Sequence, residues 1–204
     1  MGRKAGNKLV HGIGINEGTF STKTGNSNCK TYQLWVGLLE RCTKKMWAKY
    51  PTYDGVTCSD NFKHYTFFHE WCQSQIGFNY VDDGGGSWHL DKDILIKGNK
   101  HYSEDTCVFI PQRLNKLLIK RDKHRGDCPL GVFFDNSLLK FRARCSDVNG
   151  KQKHLGSFTT PEQAFQAYKT FKEALIKQVA EQYKSQIDHR AYQALLEYEV
   201  NIDD

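Results

Sequence analysis

The sequence predicts an α+β protein in which two different folding units follow one another. Three observations predict this class. Helical patterns rich in aromatic residues occupy residues 31–76, a short strand–loop–strand pattern follows at 88–111, and three strand patterns with one long helical pattern occupy 131–182. With 39% hydrophobic residues, 13% aromatic residues and only 4 prolines, the composition is typical of an ordered globular protein.

The composition also excludes several classes of protein. No apolar run approaches the roughly 18 residues of a membrane-spanning helix, and the first residues, MGRKAGNKLVHG, lack the apolar core of a secretion signal. The 7 cysteines are scattered without a C-x-x-C pair, which is typical of reduced thiols rather than disulfides or a zinc site. We therefore expect a cytoplasmic protein that does not bind a membrane.

The first part of the chain is predicted to supply a helical core. Residues 1–30 are rich in Gly, Asn and Lys and are predicted as an irregular N-terminal arm. Residues 31–47 and 60–76 have helical spacing of large apolar side chains, the second behind an Asp60–Asn61 cap. Because a small ββα unit buries too little apolar surface to fold alone, we expect both helices to pack around the strand pair that follows.

The stretch Trp88–Pro111, WHLDKDILIKGNKHYSEDTCVFIP, contains the residues best suited to chemistry. Because side chains alternate along a strand, His89, Asp91 and Asp93 are predicted to project from one face. Two carboxylates beside an imidazole repel or compete unless a cation pairs them. Mg²⁺ prefers oxygen ligands, needs only one or two from the protein, and can polarise a phosphate during phosphodiester cleavage.

This stretch resembles the HNH nuclease motif, in which a strand, an Asn-bearing loop, a second strand and a helix form the ββα-metal fold. Asp91 matches the metal-binding Asp of that motif, and Gly98–Asn99 matches its loop Gly-Asn. Lys92 stands where the family has its general-base His, and Thr106 stands where a last Asn or His is usual. The resemblance implies a divalent metal, Mg²⁺ with Mn²⁺ as a substitute, bound by Asp91 with Asp93 assisting.

The departure at Lys92 leaves the identity of the general base open. His89 on the same strand face and His101 in the loop are the alternatives for activating water. Asn99 is expected to hold the loop or the base in place, and Lys92 to neutralise charge on the phosphate. The implied catalytic residues are His89, Asp91, Lys92, Asn99 and His101. The other interpretation is a hairpin whose charged residues only face solvent.

The segments after this motif define the remaining boundaries. Residues 112–120 are predicted as the helix of the ββα unit, so that the nuclease-like module spans 31–119. Residues 120–130 are charged and rich in turn formers, and they are predicted as a basic linker. The tail, 183–204, is predicted as a last helix that ends in acidic residues.

Residues 131–182 have the pattern of three short strands and one helix, in which Thr160 is the cap and Pro161 the first helical residue. The phrases K-F-R-A-R, H-L-G-S-F and T-P-E-Q-A-F-Q-A-Y occur in this order. In this respect the segment resembles the Apetala/ERF-type DNA-binding domain, a three-stranded antiparallel sheet backed by one helix.

Positive charge is concentrated in the same region. Between residues 111 and 156 there are 11 Lys and Arg against 4 Asp and Glu, a net +7, whereas the rest of the chain has 18 against 19. The resemblance places the basic face of the sheet in the DNA major groove, where Arg can bind guanine bidentately. The implied DNA-binding residues are Lys140, Arg142, Arg144, Lys151, Lys153 and His154.

The order of the parts resembles phage and mobile-element homing-type endonucleases that join an HNH module to an ERF-type domain. The resemblance implies a metal-dependent endonuclease that cuts or nicks double-stranded DNA at a site bound by the C-terminal domain. The alternative is a catalytically inactive HNH fold within a sequence-specific DNA-binding protein or regulator. The sequence leaves the oligomeric state and the target site open.

Overall fold

The computed structural model describes residues 9–82, 84–118 and 128–202 of the chain. The fold is mixed α+β, as predicted, and it divides into two compact units, Met1–Pro111 and Gln112–Asp204. In the three described ranges, no helix has both the length and the apolar character needed to cross a membrane.

The first helical pattern forms two helices instead of the single one predicted for residues 31–47. Helix α1 spans Lys30–Arg41 and helix α2 spans Lys44–Lys49. The break occurs because the Thr43 hydroxyl accepts a hydrogen bond from the backbone N–H of Met46 at 3.3 Å. A Thr that caps a new helix in this way ends the preceding one.

The second helical pattern begins later than the predicted residue 60. Residues Asn61–Lys63 form a 3-10 turn, and helix α3 spans Tyr65–Ser74. Its first turn is capped from the N-terminal arm, because a Glu17 carboxylate oxygen accepts from the backbone N–H of Thr66 at 3.1 Å and from its hydroxyl at 2.9 Å. Partial burial opposes ionisation, but these hydrogen bonds leave the pKa of Glu17 lowered.

Three pairs of short strands complete the first unit. The pairs are β1 (Lys23–Thr24) with β2 (Ser27–Asn28), antiparallel; β3 (Thr57–Cys58) with β5 (His101–Tyr102), parallel; and β4 (His89–Asp91) with β6 (Val108–Ile110), antiparallel. The antiparallel pairing of β4 with β6 agrees with the predicted strand–loop–strand pattern. The parallel pairing of β3 with β5 was not predicted.

Large aromatic side chains form the core of this unit, as the sequence predicted. The indole N–H of the buried Trp35 donates to the Phe62 carbonyl at 2.8 Å. The Phe62 and Trp71 rings lie 4.8 Å apart, and Trp71 and Phe78 lie 6.0 and 5.4 Å from the ring of Phe109 in β6. The helices therefore support the strand pair that contains the candidate site.

The second unit contains a three-stranded antiparallel sheet packed against a long helix, as predicted. Its elements are α4 (Gln112–Leu118), β7 (Val132–Asp135), β8 (Lys140–Ser146), β9 (Gln152–Phe158), α5 (Pro161–Tyr183) and α6 (His189–Leu196), with the strands in the order β7-β8-β9. The Thr160 hydroxyl accepts from the backbone N–H of Gln163 at 3.3 Å, which confirms the predicted cap. Gly131 has a φ of +77°, and a side chain there would collide with the ring of Tyr168.

The boundaries of the units differ in part from those predicted. Helix α4 contacts α5 and belongs to the second unit. The boundary between the units therefore lies between Pro111 and Gln112, ahead of the predicted end of the first module at residue 119. Most of the predicted linker, 120–130, and residues 1–8 of the predicted arm lie outside the described residues. The final helix, α6, occupies only part of the predicted range 183–204 and is capped by Asp188.

Candidate active site and nucleic-acid surface

Asp91 lies at the end of β4, and only 9% of its surface is exposed. Its Oδ1 accepts hydrogen bonds from the backbone N–H groups of Asp93 at 2.9 Å and Ile94 at 2.8 Å, which fixes the turn after the strand. Burial, followed by the negative charge of Asp93, raises the pKa of Asp91 to about 6 despite these bonds. The carboxylate form is therefore one that a nearby cation would stabilise.

Asp93 is not on the predicted strand face. Strand β4 ends at Asp91, and Asp93 lies in the bend that follows, with an exposed side chain. The turn nevertheless brings the two carboxyl groups close enough to interact directly. The structure thus pairs the carboxylates by a turn rather than by strand alternation, while His89 and Asp91 do share one face of β4.

Lys92 places a positive charge beside this pair. Its ammonium donates to the Asn99 carbonyl at 2.7 Å, lies 3.3 Å from an oxygen of Asp93, and is 5.7 Å from the centre of the Tyr102 ring. An ammonium has three donors and no acceptor. An ammonium group cannot take over the role of the general-base His that the HNH motif has at this position, but it can stabilise negative charge.

Asn99 holds the loop between the two strands. Its side-chain Nδ2 donates to the carbonyl of Lys92 at 2.6 Å and to that of His101 at 2.7 Å, and its Oδ1 accepts from the N–H of His101 at 3.0 Å. Gly98 precedes it with a φ of +79°, a conformation that suits glycine. One amide therefore keeps the backbone of His101 next to the turn that follows Asp91.

His101 and His89 remain the two candidate bases, and they are held differently. The Nδ1 of His101 lies 2.8 Å from the Thr57 hydroxyl, because parallel pairing of β3 with β5 brings these residues together. When Nδ1 carries the proton and donates to Thr57, Nε2 is the nitrogen that can accept a proton from water. His89 lies on β4 opposite Ile110 and is partly exposed.

The carboxylate pair offers a small donor set for a metal ion. Among the residues that the structure describes, no group of three or more His, Cys, Asp or Glu side chains is arranged to hold a metal. A structural zinc site needs about four protein ligands, so this pair does not fit zinc. Mg²⁺ keeps several waters and takes one or two carboxylates together with phosphate oxygens. Asp91 and Asp93 fit that mode of binding.

A basic face lies on the sheet of the second unit. We use this name for Lys140, Arg142, Arg144 and His154. The first three alternate along β8 with side chains that face α5, including Ala143 and Cys145, which are 0% and 5% exposed. His154 on β9 is the register partner of Arg144. The structure thus brings together four of the six residues predicted to bind DNA.

The two arginines of the basic face have different surroundings. The guanidinium of Arg144 lies 4.5 Å from the ring centre of Phe133, and in the described part of the chain it forms no ion pair. Arg142 forms an ion pair with Asp135 at 3.0 Å, and its Nε is buried without a hydrogen-bond partner within the described ranges. Arg144 is therefore the arginine available for a ligand.

The other two predicted residues lie elsewhere. Lys153 is the register partner of Cys145 and faces α5, where its ammonium lies 5.0 Å from the ring centre of Phe171. Lys151 lies in the turn before β9, and its backbone N–H donates to Asp147 at 2.9 Å. The β-bulge between Ala143 and Arg144 alters the register at this end of the sheet, a feature that strand alternation did not reveal.

Three residues that shape these sites were not predicted from the sequence. Thr57 lies in a two-residue strand, which is too short to show periodicity. Phe133 and Asp135 lie within a predicted strand and its turn, but their contacts with the arginines require the register of β7 with β8. The one indication in the sequence is that Asp135, Asn136 and Ser137 are residue types that favour turns.

No family model, curated protein or solved structure matched the chain. The function is therefore inferred from the geometry of these two sites.

Proposed function

We propose that the protein is a metal-dependent endonuclease that cuts or nicks double-stranded DNA, with site preference supplied by its C-terminal unit. The observation that carries this proposal is the pair Asp91 and Asp93. A buried carboxyl group whose pKa is raised to about 6, next to a second carboxylate, is typical of a functional site. The Asn99-bound loop, which follows the pair, supports the proposed resemblance to the HNH motif.

The proposed mechanism assigns a role to each side chain. A divalent ion, Mg²⁺ or Mn²⁺, held by Asp91 and Asp93, would polarise the scissile phosphate when bound. His101 or His89 accepts a proton from water as its oxygen bonds to phosphorus, and the P–O bond to the leaving sugar oxygen breaks, with that oxygen taking a proton from solvent. Lys92 stabilises the negative charge that develops on the phosphate, and Asn99 keeps the loop in position for His101.

The basic face supports the DNA-binding part of the proposal. Arg144 is exposed, and its contact with Phe133 limits the movement of its guanidinium. Such an arginine can bind O6 and N7 of guanine in the major groove. Lys140 and His154 on the same face are suited to phosphate contacts, which weaken as salt concentration rises.

A second candidate function is a DNA-binding protein or regulator that does not cleave. The observation that favours it is Lys92, which occupies the position of the usual base and contacts Asn99 and Asp93 within the protein. In this function Asp91 and Asn99 would serve only to fix the loop.

A plasmid-nicking assay separates these two functions. The 204-residue chain is first used to select a site from a pool of random duplexes, and that site is placed in a supercoiled plasmid. We expect nicking or linearisation with Mg²⁺ or Mn²⁺ and none with EDTA. Asp91→Ala should abolish cleavage and retain affinity for the site, whereas Asp54→Ala, which removes an exposed carboxylate from the same unit, should cleave normally.

Full cleavage by a clean Asp91→Ala preparation would refute the proposed active site. Tight binding by the wild type without any cleavage would favour the second function.

The same assay identifies the base. If His101 accepts the proton, His101→Ala should reduce the cleavage rate by about 10²–10⁴-fold, the range for loss of a general base. Thr57→Val should cause a smaller loss, because it removes the hydroxyl that orients the imidazole. A comparable loss in His89→Ala with a normal rate in His101→Ala would instead assign the role to His89.

A further inference from the structure

The turn between β7 and β8 exposes two leucines. Leu138 and Leu139, which we call the leucine tip, are 53% and 75% exposed, and Leu139 is more exposed than any other large hydrophobic residue in the described ranges. Leu139 also has a φ of 50°, in the left-handed region that residues other than Gly, Asn and Asp seldom adopt. Two unfavourable features therefore coincide at one residue.

The turn is well defined by hydrogen bonds. Asp135 Oδ1 accepts from the N–H of Ser137 at 3.0 Å, from its hydroxyl at 2.6 Å, and from the N–H of Leu138 at 3.3 Å. Asp135 Oδ2 forms the ion pair with Arg142 at 3.0 Å. These contacts hold the leucine tip in a fixed position at the end of the sheet, so its exposure is a built feature of the turn.

The charges around the leucine tip indicate what it contacts. Leu139 is followed directly by Lys140, the first residue of the basic face, and Arg144 lies further along the same strand. A surface of this charge is complementary to a polyanion. In the major groove, the 5-methyl group of thymine is the apolar group on the base edges.

We propose that the leucine tip contacts the 5-methyl groups of thymines at one edge of the DNA site, away from the bases contacted by Arg144. This inference rests on the proposed DNA-binding function and adds two residues that determine its specificity. It predicts a site in which one or two thymines lie up to about five base pairs from the preferred guanine, because Leu139 and Arg144 are five positions apart in the chain, which is roughly 16 Å at about 3.3 Å per strand residue.

The test uses the 204-residue chain and the duplex site that it selects. Each thymine is replaced in turn by deoxyuridine, which lacks only the 5-methyl group. At one or two positions near the edge of the site, we expect wild-type affinity to fall about fourfold per methyl group, the factor that corresponds to about 0.8 kcal/mol for one buried methylene.

Three variants complete this experiment. The double variant Leu138→Ser/Leu139→Ser, which removes both side chains of the leucine tip, should bind the thymine and deoxyuridine duplexes equally well. Leu139→Gly should lose the preference at the thymine that Leu139 contacts, and because glycine adopts positive φ readily, its turn should remain folded, which circular dichroism and thermal unfolding would verify. Ile76→Ser, which removes an isoleucine that is 52% exposed in the first unit, should retain the wild-type preference for thymine.

Equal wild-type affinity for thymine and deoxyuridine at every position would overturn the inference. If that result came with dimers in sedimentation that the leucine variants lose, the tip would instead bind a second copy of the chain. If the wild-type protein selects no duplex at all, the proposed DNA binding itself is refuted. If it selects a duplex but does not distinguish thymine from deoxyuridine, only the proposed role of the leucine tip is refuted.

Discussion

At the scale of single residues, Asp91 is subject to opposing effects. Two backbone N–H groups donate to its Oδ1 and favour the charged carboxylate. Burial and the neighbouring charge of Asp93 favour the neutral acid and prevail, so the pKa rises to about 6. At neutral pH the ionised Asp91 therefore destabilises the folded protein. A bound cation would reduce this destabilisation.

This balance predicts that Asp91→Asn is more stable than the wild type at neutral and higher pH. Asparagine keeps the oxygen that accepts from the turn and removes the buried charge. Because the folded-state pKa lies above the usual value of about 3.9, the stabilising contribution of Asp91 is complete below about pH 4 and is lost as the pH rises through about 6. At about pH 8 we expect the free energy of unfolding to increase by on the order of 1–3 kcal/mol in Asp91→Asn.

Urea unfolding of both proteins at about pH 4 and about pH 8 checks this expectation, since the difference should vanish at the lower pH. Addition of Mg²⁺ at the higher pH should stabilise the wild type and leave Asp91→Asn unchanged. A variant that is less stable than the wild type at both pH values would show that the carboxylate itself is needed for the turn.

At the scale of elements, the parts that the sequence predicted best are those defined by local signals. Strands β7 to β9 have alternating patterns, and Thr160–Pro161 marks the start of α5 by its own chemistry. The break between α1 and α2 was missed because an uninterrupted apolar pattern gave no reason to end the helix at Thr43. The start of α3 was missed because its cap, Glu17, comes from a distant part of the chain.

The candidate site likewise has some features that local sequence signals predicted and others that depend on distant residues. The role of Asn99 in holding the loop agrees with one of the two roles expected of it, since the Gly98–Asn99 turn is a local signal. Its hydrogen-bond partners, and the contact of Thr57 with His101, depend on tertiary pairing that no local pattern encodes. The placement of Lys153 against Phe171 likewise required the actual register of β8 with β9.

We expect different consequences when Arg144 and Arg142 are replaced by alanine. Arg144→Ala should reduce discrimination between the selected site and random duplex by roughly 1–3 kcal/mol, the range for a bidentate arginine–guanine contact, without lowering the thermal unfolding midpoint. Arg142→Ala should lower that midpoint, because it leaves Asp135 without its ion-pair partner. Hydrogen bonds from Ser137 and Arg142 lower the pKa of Asp135 to about 2, so this pair should persist across the physiological pH range.

Competition binding across a salt series, together with thermal unfolding, tests both statements. Equal loss of affinity for specific and random duplexes in Arg144→Ala would make this arginine a phosphate contact, and base recognition would then have to lie elsewhere on the sheet.

At the scale of the whole molecule, each unit has its own core. The first is built from aromatic residues such as Trp35, Phe62 and Phe109, which are all 0% exposed. The second has buried aliphatic residues on α5 and α6, among them Ile176 and Leu195. Because a separate core is the physical requirement for independent folding, the two proposed activities are expected to be separable.

This arrangement predicts that a fragment comprising Gln112–Asp204 folds alone and retains site preference without cleavage. The fragment has to begin at residue 112, because α4 contacts α5 and its Leu114 is fully buried. Circular dichroism and binding to the selected duplex provide the measurements, and the full chain is the control. An unfolded fragment, or a folded one without site preference, would contradict the division of roles.

The parallel pairing of β3 with β5 has a consequence for how this site can be inherited or engineered. Thr57 and His101 are 44 positions apart, although their side chains are in contact. A recombination event between residues 58 and 88 would keep the segment 88–111 intact and still deprive His101 of its partner. Transplanting the candidate site into another scaffold therefore requires residues 57–110 to move as one block, and a graft limited to residues 88–111 would not contain the whole site.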